Sequence, residues 1–189
     1  MTPNEISTII AERVKKQLDI PFKLMVFDLV KTWRSTLVKN TLERNPSMKS
    51  FFIQTLIVGT QPHSSSGCTL PNCLDSAITI VAIPQAIRTG MTPYTYVGGI
   101  KGNKAYSYGM PSAAEYLKES KYSKETVYWH KSSDKVILSS PIIANVRIDD
   151  VFDDPLEVAK LQCKLVSNGP CDVWNMPYPG ITNDILQQC

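Results

Sequence analysis

Near the N-terminus apolar positions recur every three or four residues. Ile6, Ile9, Ile10 and Val14 fall on one helical face. Ahead of them Thr2-Pro-Asn-Glu5 has the form of a capping box, with proline at the first helical position. The spacing predicts a helix to about Leu18, where Asp19-Ile-Pro21 breaks it and starts a second. There Phe22, Val26, Leu29, Val30, Trp33 and Leu37 form an apolar stripe running toward Arg44, and Asn45-Pro46 ends it. The stripe is expected to be core, packed on the first helix and on C-terminal helices.

From Phe51 the pattern turns extended. Residues 51–58, 78–83 and 94–97 read as strands, and 126–130 with 135–138 as a hairpin around Ser132-Ser-Asp134. Gln61 to Gly67 reads as a polar, mobile loop, Lys101-Gly-Asn103 as a turn after Gly98-Gly99, and 111–118 as a small helix. Residues 144–148 alternate and lead into Asp149-Asp-Val-Phe-Asp-Asp-Pro155, a strand running straight into a helix start. Asp153 and Asp154 can cap that helix, Pro155 suits its first position, and Glu157 lies in its first turn. A stiff segment, Cys171-Asp-Val-Trp-Asn-Met-Pro-Tyr-Pro179, precedes a short apolar pattern from Ile181 through Ile185 to Leu186.

This order predicts an α+β fold: two N-terminal helices, a central, mostly antiparallel set of short strands with a small helix, and short C-terminal helices. The expectation is a single domain over 1–189, divided into a helical pair (1–46), a β-rich centre (47–149) and a C-terminal helical and docking segment (150–189).

Composition adds little, since 43% hydrophobic and 20% charged residues are ordinary for a globular chain. No apolar run approaches the roughly 18 residues of a membrane span. The first residues lack the basic and apolar regions of a signal peptide, so synthesis and folding in a cytoplasm are expected. Charge is more informative. Residues 1–60 carry nine Lys/Arg against five Asp/Glu, residues 61–146 eight against five, and residues 147–189 three against seven. A basic front and an acidic end allow copies to associate head to tail, while solvated faces explain the same counts.

Candidate chemistry is sparse. Cysteines at 68, 73, 163, 171 and 189, with His63 and His130, do not follow a paired zinc-ligand spacing, so no metal or other cofactor is expected. An odd cysteine count in a reducing compartment reads as free thiols, with oxidation in an exported particle as the alternative. Gly98-Gly99-Ile-Lys-Gly102 lacks the spacing of a phosphate loop, and no serine-centred elbow occurs. Asp149, Asp150, Asp153 and Asp154 suit capping better than a metal site. Tyr94, Tyr96, Tyr106 and Tyr108 around Lys101 and Lys104 suit either stacking on single-stranded bases or covering a half-buried sheet.

Several segments carry a resemblance. Residues 24–45 with Trp33-Arg-Ser-Thr-Leu-Val-Lys-Asn40, Ile83-Pro84, Tyr94-Thr-Tyr-Val-Gly98 and the 126–138 hairpin are similar to structural proteins of crAss-like tailed bacteriophages. So are Val151-Phe-Asp-Asp-Pro155, Cys171-Asp and Tyr178-Pro179. The resemblance implies a non-enzymatic virion protein of the neck, a head–tail connector ring, dodecameric to match the portal. Its implied partners are copies of itself, the portal protein, other neck or tail rings and the genomic DNA in the channel, with no membrane. On that reading Asp149, Asp150, Asp153, Asp154, Trp174, Tyr178, Ile181 and Ile185 are candidates for an inter-subunit or portal interface. Lys31, Arg34, Lys39 and Arg44 are candidate cations facing the DNA channel or a neighbouring subunit, the acidic junction of one copy meeting the basic helix of the next. The alternatives are a nucleic-acid-binding accessory protein and a small Cys/His enzyme.

Overall fold

Thr2 starts the first helix as its sequence dictates. Its hydroxyl accepts from the Glu5 amide at 3.2 Å while the Glu5 carboxylate accepts from the Thr2 amide at 2.8 Å. The chain is represented by a computed structural model that describes residues 1–16, 19–66, 75–87, 90–109, 126–166, 171–176 and 178. Among these, α1 is Pro3–Arg13, shorter than the periodicity predicts. Lys15 adopts the left-handed conformation, at φ 58°. Its amide bonds to Glu12 O and that of Lys16 to Ala11 O, the double closure of a Schellman motif. A side chain in this conformation is strained, so Lys15→Gly is expected to stabilise the protein by about 0.5–1 kcal/mol. Thermal and urea unfolding check this.

Helix α2, Ile20–Arg44, is capped by Asp19, whose carboxylate accepts from the Phe22 amide. Its buried row is Val26, Phe27, Val30, Arg34, Val38 and Leu42. That row is turned from the expected stripe: Val26 and Val30 belong to both, Phe22, Trp33 and Leu37 are half-buried, and Leu29 is 63% exposed. After Asn45, Pro46 sets a helical φ that persists through a 3-10 turn, Pro46–Met48, into α3, Lys49–Phe52. The strand expected from Phe51 therefore starts later, as β1, Gln54–Pro62. It also runs past Gly59, because Gln61 and Pro62 pair with Ile78 and Ala77; a 3-10 turn, His63–Ser66, follows where a loop is expected.

The remaining strands are β2 (Ala77–Thr79), β3 (Tyr96–Gly98), β4 (Ser107–Tyr108), β5 (Tyr128–Ser132), β6 (Lys135–Leu138) and β7 (Asn145–Asp150), and α4 is Pro155–Val166. The hairpin is present as expected, β5 on β6, with Ser133 left-handed at the turn. β2 is shorter than predicted: the Ile80 amide still reaches Gly59 O of β1, but the Ile83 amide bonds Asp134 O instead. The helix expected at 111–118 lies outside the described residues.

These elements form an α+β fold with a mostly antiparallel sheet in the order β3-β7-β1-β2-β6-β5-β4. Its two edge strands are joined by one stretch of chain. Ala105 bridges Gly98 and the Tyr106 amide reaches Val97 O at 2.8 Å; the Ser107 and Gly109 amides then bond Val127 O and Trp129 O. The sheet thus closes on itself, leaving neither edge open there. Alternate residues, Leu56 and Val58, Val136 and Leu138, Val146 and Ile148, are buried at 0% exposure and fill the inside.

Where one domain in three parts is expected, the chain divides into two compact units, Met1–Gln54 with Val151–Cys189, and Thr55–Asp150. The first and last sequence segments thus belong together. Their core is Ile6 from α1, Val26, Phe27 and Val30 from α2, Leu156 from α4, and Tyr178, with Met1, Ile9, Ile10, Phe22 and Trp174 packed against it. The packing of α2 on the first helix and on C-terminal elements is as expected, through a rotated face.

Candidate functional site

The strand-to-helix junction, singled out by its aspartates, meets α2 within the helical unit. Asp154 caps α4: its Oδ1 accepts from the Leu156 amide at 2.9 Å, and its carbonyl from the Glu157 amide. Its Oδ2 lies 2.6 Å from Lys31 Nζ. That contact holds the Lys31 ammonium above its usual range, with partial burial acting against it. Both groups reach solvent, so the pair contributes under about 1 kcal/mol. Ser35 Oγ donates to Asp153 Oδ1.

Arg34 sits at the centre of this junction and is fully buried. Its Nη1 donates to the carbonyls of Phe152 at 3.2 Å and Asp153 at 3.1 Å. Its guanidinium lies 5.4 Å from the centre of the Tyr178 ring. Burial pulls the Arg34 pKa below its usual value, while Tyr178, Asp154 and Asp153 pull it back. Arginine suits the place because a planar fork serves two carbonyls at once and is more weakly hydrated than an ammonium.

Tyr178 closes the site. It is 1% exposed, its amide donates to Met1 O at 2.8 Å, and its ring lies 5.6 Å from that of Phe27. The Trp174 ring lies tilted against that of Phe27, 5.2 Å away. Burial pushes the Tyr178 phenol well above its usual range, with Arg34 opposing. A disulfide, Cys163–Cys171, links α4 to this segment, which corrects the free-thiol expectation for these two cysteines. The eight-residue separation is short enough for a turn to bring the sulfurs together, but a spacing does not by itself signal pairing.

Several candidates thus take other places than expected. Arg34 is core and cannot face a DNA channel, because its only exposure would require unpacking Phe152 and Tyr178. The acidic junction meets the basic helix inside one chain, through Lys31–Asp154, Ser35–Asp153 and Arg34, rather than between copies. Asp149 and Asp150 lie in the sheet unit and are buried: Asp149 pairs with Arg147 at 2.8 Å, and Asp150 accepts from Thr95 Oγ1 at 2.8 Å. Lys39 and Arg44 are exposed. Trp174 and Tyr178 are ordered on the body, and Ile181 and Ile185 lie outside the described residues. Phe27, the ring both aromatics use, was absent from the expected stripe; its i, i+3 spacing to Val30 was the available signal.

The tyrosines are largely structural. Tyr94 is 1% exposed beneath Lys131 and beside Trp129; Tyr96 donates to Lys104 O at 3.1 Å, and Tyr108 packs edge-on against Trp129. Tyr94 follows the sheet-covering reading, while Tyr108 remains 45% exposed. Lys101 and Lys104 are exposed. His63 Nδ1 lies 3.2 Å from Oγ of the buried Ser76, just beyond the paired ends of β1 and β2. Burial, and to a lesser extent His63, holds the His130 imidazole below its usual range. Among the described residues no three His, Cys, Asp or Glu side chains are grouped to hold a metal ion, and no helix is long and apolar enough to cross a membrane.

What the site can do chemically is hold and align: a cap, an ion pair, a buried guanidinium and two docked aromatics join three helices with residues 171–176 and Tyr178. No protein-family model matches the chain, and no curated protein shows significant similarity to it.

Proposed function

We propose that this chain is a structural subunit that assembles with copies of itself, and specifically a ring component of a phage neck joining the portal to the tail around the DNA channel. One observation carries the self-assembly. In the first half of α2, Ile20, Leu24, Met25 and Leu29 are 48–69% exposed. Ile20 and Leu24 share one row and Met25 and Leu29 another, and the second row points away from the buried Val26, Phe27, Val30 and Arg34. Apolar residues grouped in this way mark protein contact surfaces. The finer assignment to a neck ring is supported by the sequence resemblance, and a closed ring is the arrangement that repeats one heterologous contact without leaving a free end. The exposed Lys39 and Arg44 suit weak, salt-dependent contact with passing DNA, with no base-reading role.

Leu24→Asp combined with Leu29→Asp tests the surface. Both side chains are exposed, so the fold should persist, with unchanged circular dichroism. Light scattering after size exclusion is expected to show the wild-type assembly reduced to monomer. An assembly of unchanged mass in the double variant would remove this face from the interface.

A further inference from the structure

The Cys163–Cys171 disulfide joins the last turns of α4 to the start of residues 171–178, with Cα atoms 6.0 Å apart. That segment covers apolar core. Trp174 and Tyr178 lie on Phe27, and the Tyr178 amide is held by the carbonyl of Met1, beside Ile6 and Val30. We propose that this disulfide is a redox latch: oxidised, it keeps residues 171–176 and Tyr178 docked on α1 and α2; reduced, it lets them leave and bares Phe27 and its neighbours.

The balance of effects supports a latch over a passive staple. Docking orders about seven described residues, an entropic cost comparable to the gain from burying two aromatic rings. With those nearly cancelling, a covalent loop of this size, which shifts the docked population about 50- to 100-fold, decides the state. Opening consumes two molecules of a small thiol such as glutathione. The first, as thiolate, attacks one cystine sulfur and forms a mixed disulfide, and the other cysteine leaves as thiolate and takes up a proton. The second thiolate attacks the mixed disulfide and departs with the first as a small-molecule disulfide, leaving a second protonated cysteine. Two electrons pass to the protein, and air oxidation or a disulfide oxidant reverses the step. The latch is independent of the ring assignment, since it is read within one chain.

Hydrogen–deuterium exchange on the full chain tests it, comparing the oxidised protein, the same protein after glutathione reduction, and a Cys163→Ser/Cys171→Ser variant. The variant leaves Cys68, Cys73 and Cys189 untouched, and the reduced wild type covers the case in which the variant folds poorly. In both dithiol-equivalent states, peptides spanning 171–178 and the first turn of α1 are expected to exchange roughly tenfold faster or more, with the β5–β6 peptides unchanged. Unchanged exchange in 171–178 would overturn the latch, because side-chain contacts alone would then hold the segment. Faster exchange throughout, β5–β6 included, would also overturn it, the disulfide then being a general staple.

Discussion

Replacing Arg34 by alanine is expected to cost about 3–5 kcal/mol of folding stability, a large part of what a domain of this size possesses. Three losses combine. The carbonyls of Phe152 and Asp153 lose their donor in a buried place, at about 1–3 kcal/mol for an unsatisfied group. A cavity opens beneath Tyr178. The negative field of Asp153 and Asp154 also loses its buried countercharge. Arg34→Met keeps most of the volume and should recover part of the loss. Arg34→Lys keeps the charge without the two-pronged donor, and should also fall between. By contrast Lys31→Ala, which removes a solvent-reaching ion pair, should cost under about 1 kcal/mol. Urea unfolding with an unchanged m-value measures each variant. A loss below about 1 kcal/mol for Arg34→Ala would mean that the guanidinium is not buried as described.

Gly98→Ala is expected to destabilise the sheet unit by about 2–3 kcal/mol. A Cβ there would lie 2.3 Å from the Lys104 carbonyl oxygen and 2.4 Å from the Tyr96 hydroxyl. The backbone atom cannot swing aside like the end of a flexible chain, so the 104–106 stretch must retreat. That stretch makes the closure, since Ala105 bridges Gly98 itself and Tyr106 bonds Val97. Exchange of the Tyr106 amide should therefore rise in step with the loss of stability. Gly90→Ala, where a Cβ meets nothing within 4 Å, is the control and should be close to neutral. If the two substitutions behave alike, the close approach at Gly98 is not what sustains the closure.

Much of this fold was legible because local chemistry and tertiary packing agree. The capping box at Thr2, the Asp154-Pro155 helix start and the 128–138 hairpin each carry their own turn or cap residues, and each forms. The misreadings arise where tertiary structure overrides local pattern. Arg34 interrupts the true buried row of α2, so an apolar count shifts the stripe onto Trp33 and Leu37. An arginine becomes core only when distant carbonyls await it, and those are 118 and 119 residues away. Phe51 looks like the start of a strand because its β-propensity is high, yet Pro46 has already committed the chain to helical φ. Of the candidate site, the aspartate junction and the aromatic–proline segment were visible as unusual, but their partner was not. The charge counts suggested contacts between copies, whereas Lys31 and Asp154 meet within one chain. Sequence charge reports how much of each sign is present, not how the fold uses it.

The exposed apolar residues of α2 and the resemblance support the proposal that the chain builds a closed ring in the neck of a virion. Labelling purified virions produced from the genome that encodes it, with an antibody against this chain and electron microscopy as the readout, tests that claim directly. The expected result is label confined to the neck between capsid and tail, with averaged images resolving a closed ring there. Label spread over the capsid, or virions that carry none of the chain, would contradict it.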